Sequence, residues 1–149
     1  MKLPRSAPLF VLLADDGSHV ALQELRGQWV VLFFYPRDFS PVCTQQLCHY
    51  RDRWEELALP GVVMYGISPD SAERHREFRQ QHRLPFPLLA DPALEVFRLY
   101  QMLSLGKLPT RGVVIIDPEG NIQRWWRSLT GVRYPSAKAI REWLEQLQA

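Results

Sequence analysis

The chain reads as an α/β protein, with a mixed central sheet flanked by helices on both faces. Three observations carry that reading. The apolar runs Trp29–Tyr35 and Val62–Ser68 have the character of strands buried on both faces. A helical pattern lies between them, and strand–helix–strand with short loops implies a right-handed parallel crossover. A third run, Gly112–Asp117, turns at Pro118-Glu119-Gly120-Asn121 and returns through Ile122–Trp126, which adds antiparallel pairing.

Taken in chain order, Leu9–Leu13 and Val20–Leu22 flank Asp15-Asp16-Gly17-Ser18, a turn-rich segment that predicts a hairpin. Gly27 precedes the first central strand and Pro36 ends it. A helix is predicted from near Ser40 to about Leu59, with Pro41 suited to its first position. Leu47, Tyr50, Trp54 and Leu57 supply its apolar stripe. Gly61 leads into the second central strand. Ser71–Gln81 reads as a charged helix with little apolar stripe beyond Phe78, which places it on the surface. A short strand near Pro87–Ala90 and a helix over Ala93–Tyr100 follow. Ser136 caps a last helix whose Ile140, Trp143, Leu144 and Leu147 face inward. The sum is a sandwich of thioredoxin-like type.

With 149 residues and no repeats, low-complexity tracts or dividing linker, one domain spanning 1–149 is expected. Hydrophobic residues at 46% and charged residues at 23% suit a globular protein with a real core. A formal charge of +2, without basic runs interleaved with aromatics, argues against nucleic-acid binding. No stretch approaches the roughly 20 apolar residues that span a bilayer, so no membrane partner is expected. Leu9–Ala14 is short for a secretory h-region, and Asp15-Asp16-Gly17 follows it instead of a cleavage site. The expected location is therefore a reducing cytoplasm, where two cysteines point to catalysis before a structural disulfide.

Both cysteines lie in one stretch, Phe34-Tyr35-Pro36-Arg37-Asp38-Phe39-Ser40-Pro41-Val42-Cys43-Thr44-Gln45-Gln46-Leu47-Cys48. It leaves a strand and enters a helix, so Cys43 falls in the first helical turn. Unpaired N–H groups and the helix dipole favour an anion there, and a thiol so placed should ionise more readily than a free one.

Pro36-x-x-x-Ser40-x-x-Cys43 resembles the peroxiredoxin motif Pro-x-x-x-Thr/Ser-x-x-Cys, and a cysteine five residues later resembles its Q-type or bacterioferritin-comigratory branch. Ala7-Pro8, Gly66-Ile67-Ser68-Pro69-Asp70, Leu84-Pro85-Phe86-Pro87-Leu88-Leu89-Ala90-Asp91 and Arg111 ahead of Val114-Ile115-Ile116-Asp117 extend the resemblance through most of the chain. It implies a thioredoxin-fold thiol peroxidase that reduces hydrogen peroxide and organic hydroperoxides without metal, flavin or haem. Cys43 aligns with the peroxidatic cysteine and Cys48 with the resolving one. Ser40 aligns with the substrate-contacting hydroxyl and Arg111 with the guanidinium flanking the thiolate. Pro36 and Val42 are expected at the substrate pocket, and thioredoxin or a similar dithiol protein as reductant. Three residues depart from the pattern: Ser40 lacks a threonine methyl that would limit its rotamers, Val42 replaces a common glycine, and Gly112 replaces a small hydroxyl residue.

Two physical demands follow. An unperturbed thiol, pKa ~8.5, is only about 3% thiolate at pH 7. Shifting any thiol to ~6 raises that fraction roughly 30-fold, but a Brønsted slope of ~0.4–0.5 returns about tenfold of it in lost nucleophilicity. The rate must therefore come largely from donors fixed around the departing oxygen, with the Cys43 N–H, the Ser40 hydroxyl and Arg111 as candidates. Second, residues five apart on an ideal helix have Cα atoms roughly 8.6 Å apart, whereas a disulfide needs about 7 Å or less. Cys43 and Cys48 can pair only if their helix unwinds.

Plainer readings stand beside these. Cys43 could be a core cysteine, Cys48 an inert helical one, Arg111 a salt-bridge residue, Ser40 a cap alone and Pro36 a strand terminator alone. Arg37 is expected to be solvated and His75 exposed. His49, beside Cys48, is a candidate for proton transfer, or for a metal with the cysteines, although zinc needs a fuller ligand set. Trp125 and Trp126 point to opposite sheet faces, and Arg124, Arg127 and Arg133 read as a solvated basic rim. Rival functions are a thioredoxin-type disulfide oxidoreductase, whose chemistry usually uses Cys-x-x-Cys, and a peroxide-responsive redox sensor. A same-chain Cys48 removes any need for a dimer: a monomer is expected, with weak dimerisation left open.

Overall fold

The computed structural model describes residues 2–149. Its strands are β1 (Arg5–Ser6), β2 (Val11–Ala14), β3 (His19–Ala21), β4 (Trp29–Phe34), β5 (Val62–Ser68), β6 (Leu88–Ala90), β7 (Gly112–Ile116) and β8 (Asn121–Arg127). They form one sheet in the order β1-β8-β7-β4-β5-β6-β2-β3. β4 pairs parallel with β5 and antiparallel with β7, so the expected crossover and the expected return hairpin are both present. The predicted β2–β3 hairpin forms as well.

Strand β4 sets the layers because its side chains alternate between faces. Val31 and Phe33, with Tyr35 just beyond, enter one apolar cluster with Leu47, Tyr50, Phe78, Ile140 and Leu144. Val30, Leu32 and Phe34 enter the other, with Leu22, Val96 and Phe97. Helices α1 (Pro41–Asp52), α2 (Trp54–Leu57), α3 (Ala72–His82) and α5 (Ala137–Gln148) thus cover one face, and α4 (Glu95–Leu99) the other.

Three element readings change. The helix expected from Ser40 to Leu59 breaks at Arg53 into α1 and α2. The apolar stripe runs on across the break, and Trp54 lands against Phe86 with ring centroids 5.5 Å apart. The helix expected over Ala93–Tyr100 shrinks to Glu95–Leu99 because Leu94 takes a left-handed conformation, φ 58°. The third concerns α3, expected on the surface: its inner face is buried through Ala72, His75 and Phe78, the last two fully enclosed.

Gly112 has a steric reason. A Cβ at this position would meet the Met102 sulfur and lie 2.7 Å from the Trp126 carbonyl oxygen. Backbone cannot yield as a flexible side chain can. Gly112→Ala is expected to cost about 1–3 kcal/mol through overpacking, read as a lower denaturation midpoint at unchanged slope. An unmoved midpoint would show that β7 and β8 have room to separate.

Candidate active site

The loop between β4 and α1 turns the chain from the sheet into the helix that carries both cysteines. Ser40 caps α1: its Oγ accepts the Cys43 N–H at 3.4 Å and donates to the Arg37 carbonyl at 3.2 Å. Pro41 follows at the helix start, where its missing N–H costs nothing. Cys43 therefore sits in the first turn, and at 1% exposure it is enclosed by the core cluster that includes Tyr35 and Leu47. Both cysteines are free thiols; Cys48 is half-buried. Because α1 is intact from Pro41 to Asp52, the disulfide geometry excluded by the helical spacing is excluded in this conformation too.

Arg111 is not a surface ion pair. It is 3% exposed, and its Nη1 donates to Gln46 Oε1 at 2.5 Å while Nε donates to the Gly131 carbonyl at 3.0 Å. Gln46 lies three residues after Cys43, on the same face of α1. Its Nε2 donates to the Tyr50 hydroxyl, which donates to the Pro135 carbonyl at 2.8 Å. Burial pushes the Tyr50 phenol well above its ordinary pKa, against the opposing pull of the Gln46 hydrogen bond, so it remains a donor. The guanidinium is thus tied to α1 through Gln46 and to the Gly131 carbonyl. Among the described residues, two of its five N–H groups are hydrogen-bonded.

Pro36 and Val42 are half-buried on either side of the cap, while Arg37 is exposed as expected. Arg127 and Arg124 are more engaged than a solvated rim: Arg127 donates to the Gln101 and Leu103 carbonyls, and Arg124 lies 4.6 Å over the Trp143 ring. Among the described residues no group of three or more His, Cys, Asp or Glu is placed to hold a metal ion.

The histidines need the largest revision. His49 does not face the cysteine chemistry; its Nε2 accepts the Ala137 N–H at 3.0 Å, in the first turn of α5. The histidine against Cys48 is His82, with Nδ1 3.6 Å from Sγ. Neighbouring Arg51 donates to the His82 carbonyl at 2.7 Å and so ties α1 to the end of α3. Burial pushes the Cys48 thiol up, Asp52 adds to the rise, and Arg51 opposes it. His75, expected in solvent, is wholly buried with Nδ1 2.6 Å from Asp38 Oδ2. Gln46 and Asp38 carried a detectable signal: one shares the helix face of Cys43, and the other lies inside the motif between Pro36 and Ser40. His75 carried none.

The chain is similar to known proteins in sequence and in fold. The family model described as AhpC/TSA matches residues 4–125. Peroxiredoxin Bcp of Bacillus subtilis is 35% identical over 136 residues, 87% of each chain. Peroxiredoxin Q of Sedum lineare is 35% identical over 144 residues, 95% of this chain and 75% of the other. Among solved structures, the bacterioferritin comigratory protein of Xanthomonas campestris, studied for its alkyl peroxide reduction, superposes with TM-score 0.82 at 25% identity over 94% and 92% of the two chains. AhpC of Enterococcus faecalis gives TM-score 0.88 at 27% identity over 99% and 93%.

Proposed function

The chain belongs to the AhpC/TSA family as a thiol-dependent peroxidase of the Bcp and peroxiredoxin Q kind, and we propose that its reaction runs through Cys43 and is resolved by Cys48. The Cys43 thiolate attacks one peroxide oxygen; the S–O bond forms, the O–O bond breaks, and the leaving alkoxide or hydroxide takes a proton. Cys48 then loses its proton and its sulfur attacks the Cys43 sulfenic acid. The S–S bond forms and water leaves. A dithiol protein of thioredoxin type returns both thiols at the expense of its own oxidation.

One observation carries the reading: Cys43 at the capped start of α1, with the buried Arg111 guanidinium held by Gln46 from that same helix. The donors, not the acidity of the thiol alone, stabilise charge on the departing oxygen. Organic hydroperoxides are included beside hydrogen peroxide because a cleft with Leu108 and Leu129 in its lining reaches Gly131, whose carbonyl orients Arg111. A monomer in a reducing cytoplasm is the working state. No helix among the described residues is long and apolar enough to cross a membrane.

The test is NADPH consumption with thioredoxin and its reductase. Steady oxidation that starts on adding peroxide supports the reading. Consumption driven by insulin without peroxide would support a disulfide oxidoreductase instead.

Cys48 adds a pH prediction. Its folded pKa is raised by burial, whereas unwinding returns it toward the ordinary value. The folded turn keeps its full contribution below the ordinary thiol pKa and loses it as pH rises toward the raised value. Alkaline pH thus favours unwinding and at the same time supplies the attacking thiolate. Single-turnover disulfide formation is expected to accelerate from about pH 8 upward. A flat profile would mean that Cys48 deprotonation does not contribute.

A further inference from the structure

We propose that Asp38 and His75 form a latch that holds the Cys43 helix folded, a positioning pair that favours attack on peroxide and opposes disulfide formation.

Every polar atom of Asp38 is engaged. Its N–H donates to Asp70 Oδ2 at 2.6 Å, and its carbonyl accepts from Arg74 Nη2 at 3.4 Å. Oδ1 accepts the Tyr35 hydroxyl at 2.6 Å, and Oδ2 lies 2.6 Å from His75 Nδ1. Asp70 is itself held by the Ser68 hydroxyl and by Arg74 at 3.2 Å. The side chains of Asp38 and His75 are both 0% exposed. The Leu89 carbonyl can only accept, so His75 Nε2, 3.0 Å away, carries a proton. Tyr35 keeps its own, because burial and the Asp38 charge push its phenol far up. One proton therefore lies between Nδ1 and Oδ2, and removing either residue leaves the facing atom of the other buried without its partner.

The pair sits where it can control the helix. His75 belongs to α3, where Phe78 and His82 share its face at helical spacing, and Arg74 beside it reaches the same loop. Arg74 lies 4.9 Å over the Phe39 ring, and Phe78, from the same helix, meets that ring edge-on at 4.9 Å. Phe39 itself adopts φ 66°, a left-handed conformation that a bulky residue keeps only when its surroundings impose it. The residue after Phe39 is the cap, Ser40. Once Asp38 lets go, only the packing of its ring on Arg74 and Phe78 holds Phe39 in that conformation, so the cap can move and the first turn can fray. This is the motion that Cys43 and Cys48 need in order to meet. The latch thus holds the peroxide-reactive conformation against the resolving one.

The proposal rests on Cys43 as the oxidised thiol; only one of its readouts also needs Cys48. The experiment compares wild type with His75→Asn, Asp38→Asn and the double variant in single turnover, following Cys43 oxidation by hydrogen peroxide and then disulfide formation. Amide exchange of the reduced protein is recorded alongside. Oxidation should slow on the order of tenfold while disulfide formation accelerates, protection should fall over residues 38–50 but not in β4, β5 or β7, and the double variant should be no worse than the worse single. Both half-reactions slowing together, or neither changing, overturns the latch. Should the Asn variants not fold, Tyr35→Phe deletes one hydroxyl bonded to Asp38 and must show the same opposed changes at smaller amplitude; their absence there overturns it equally. If wild type forms no intramolecular disulfide, the Cys48 assignment falls, and oxidation rate with exchange still decides the latch.

Discussion

Cys43→Ser is expected to leave no peroxide-dependent NADPH consumption above background, whereas Cys48→Ser should consume one equivalent of peroxide and stall. The difference follows from where each sulfur sits. Cys43 lies in the turn that Ser40 caps and shares a helix face with Gln46, which holds Arg111, and in the proposed reaction its sulfur is the one that meets the departing oxygen. A serine hydroxyl there cannot ionise at neutral pH and cannot take the oxygen atom into a sulfenic acid. Cys48 lies half-buried against His82, more than a turn further along. It has no part in breaking the O–O bond, but without it the sulfenic acid has no partner in the chain. Mass spectrometry of the stalled variant should find one added oxygen on Cys43. Continued turnover by Cys48→Ser with thioredoxin alone would move resolution to an external thiol. Residual turnover by Cys43→Ser would remove the peroxidase assignment from this site.

The parts of this arrangement that sequence made legible are those with local causes. Pro36 ends a buried strand, Ser40-Pro41 starts a helix, and that alone sets Cys43 in a first turn. The parallel crossover follows from run lengths and loop lengths, and the final hairpin from Pro118-Glu119-Gly120-Asn121. What could not be read depends on partners far apart in the chain. His75 looked like a solvent-facing residue because α3 has no apolar stripe; its burial is stabilised by an acceptor 37 residues away in Asp38 and a carbonyl at Leu89. Arg111 is a candidate from its place ahead of the third central strand, but its support by Gln46 spans 65 residues. His49 and His82 exchanged places for a similar reason: adjacency in sequence to Cys48 pointed to the first, while packing of α3 against α1 supplies the second. The break at Arg53 left no trace since the stripe Leu47, Tyr50, Trp54, Leu57 keeps its spacing through it.

Arg111→Ala is expected to lower the rate constant for Cys43 oxidation by about 10²–10³, the scale lost when one preorganised donor is removed from a developing anion. Thiolate population cannot produce so large an effect. Even a shift across two pKa units yields only a few-fold net change, because acidity gained is nucleophilicity lost. The guanidinium is 3% exposed and fixed at two N–H groups, so its remaining donors need little reorganisation when the O–O bond stretches. Arg111→Lys separates charge from geometry. Lysine keeps a cation but not the planar fork, and it cannot reach Gln46 and Gly131 while also serving the substrate. Most of the loss should therefore remain in Arg111→Lys. Measuring the thiolate fraction of each variant by its absorbance against pH, beside its oxidation rate, decides the matter. If the rate falls only in proportion to thiolate, Arg111 acts on the sulfur alone; if it falls far beyond that, the guanidinium acts on the oxygen.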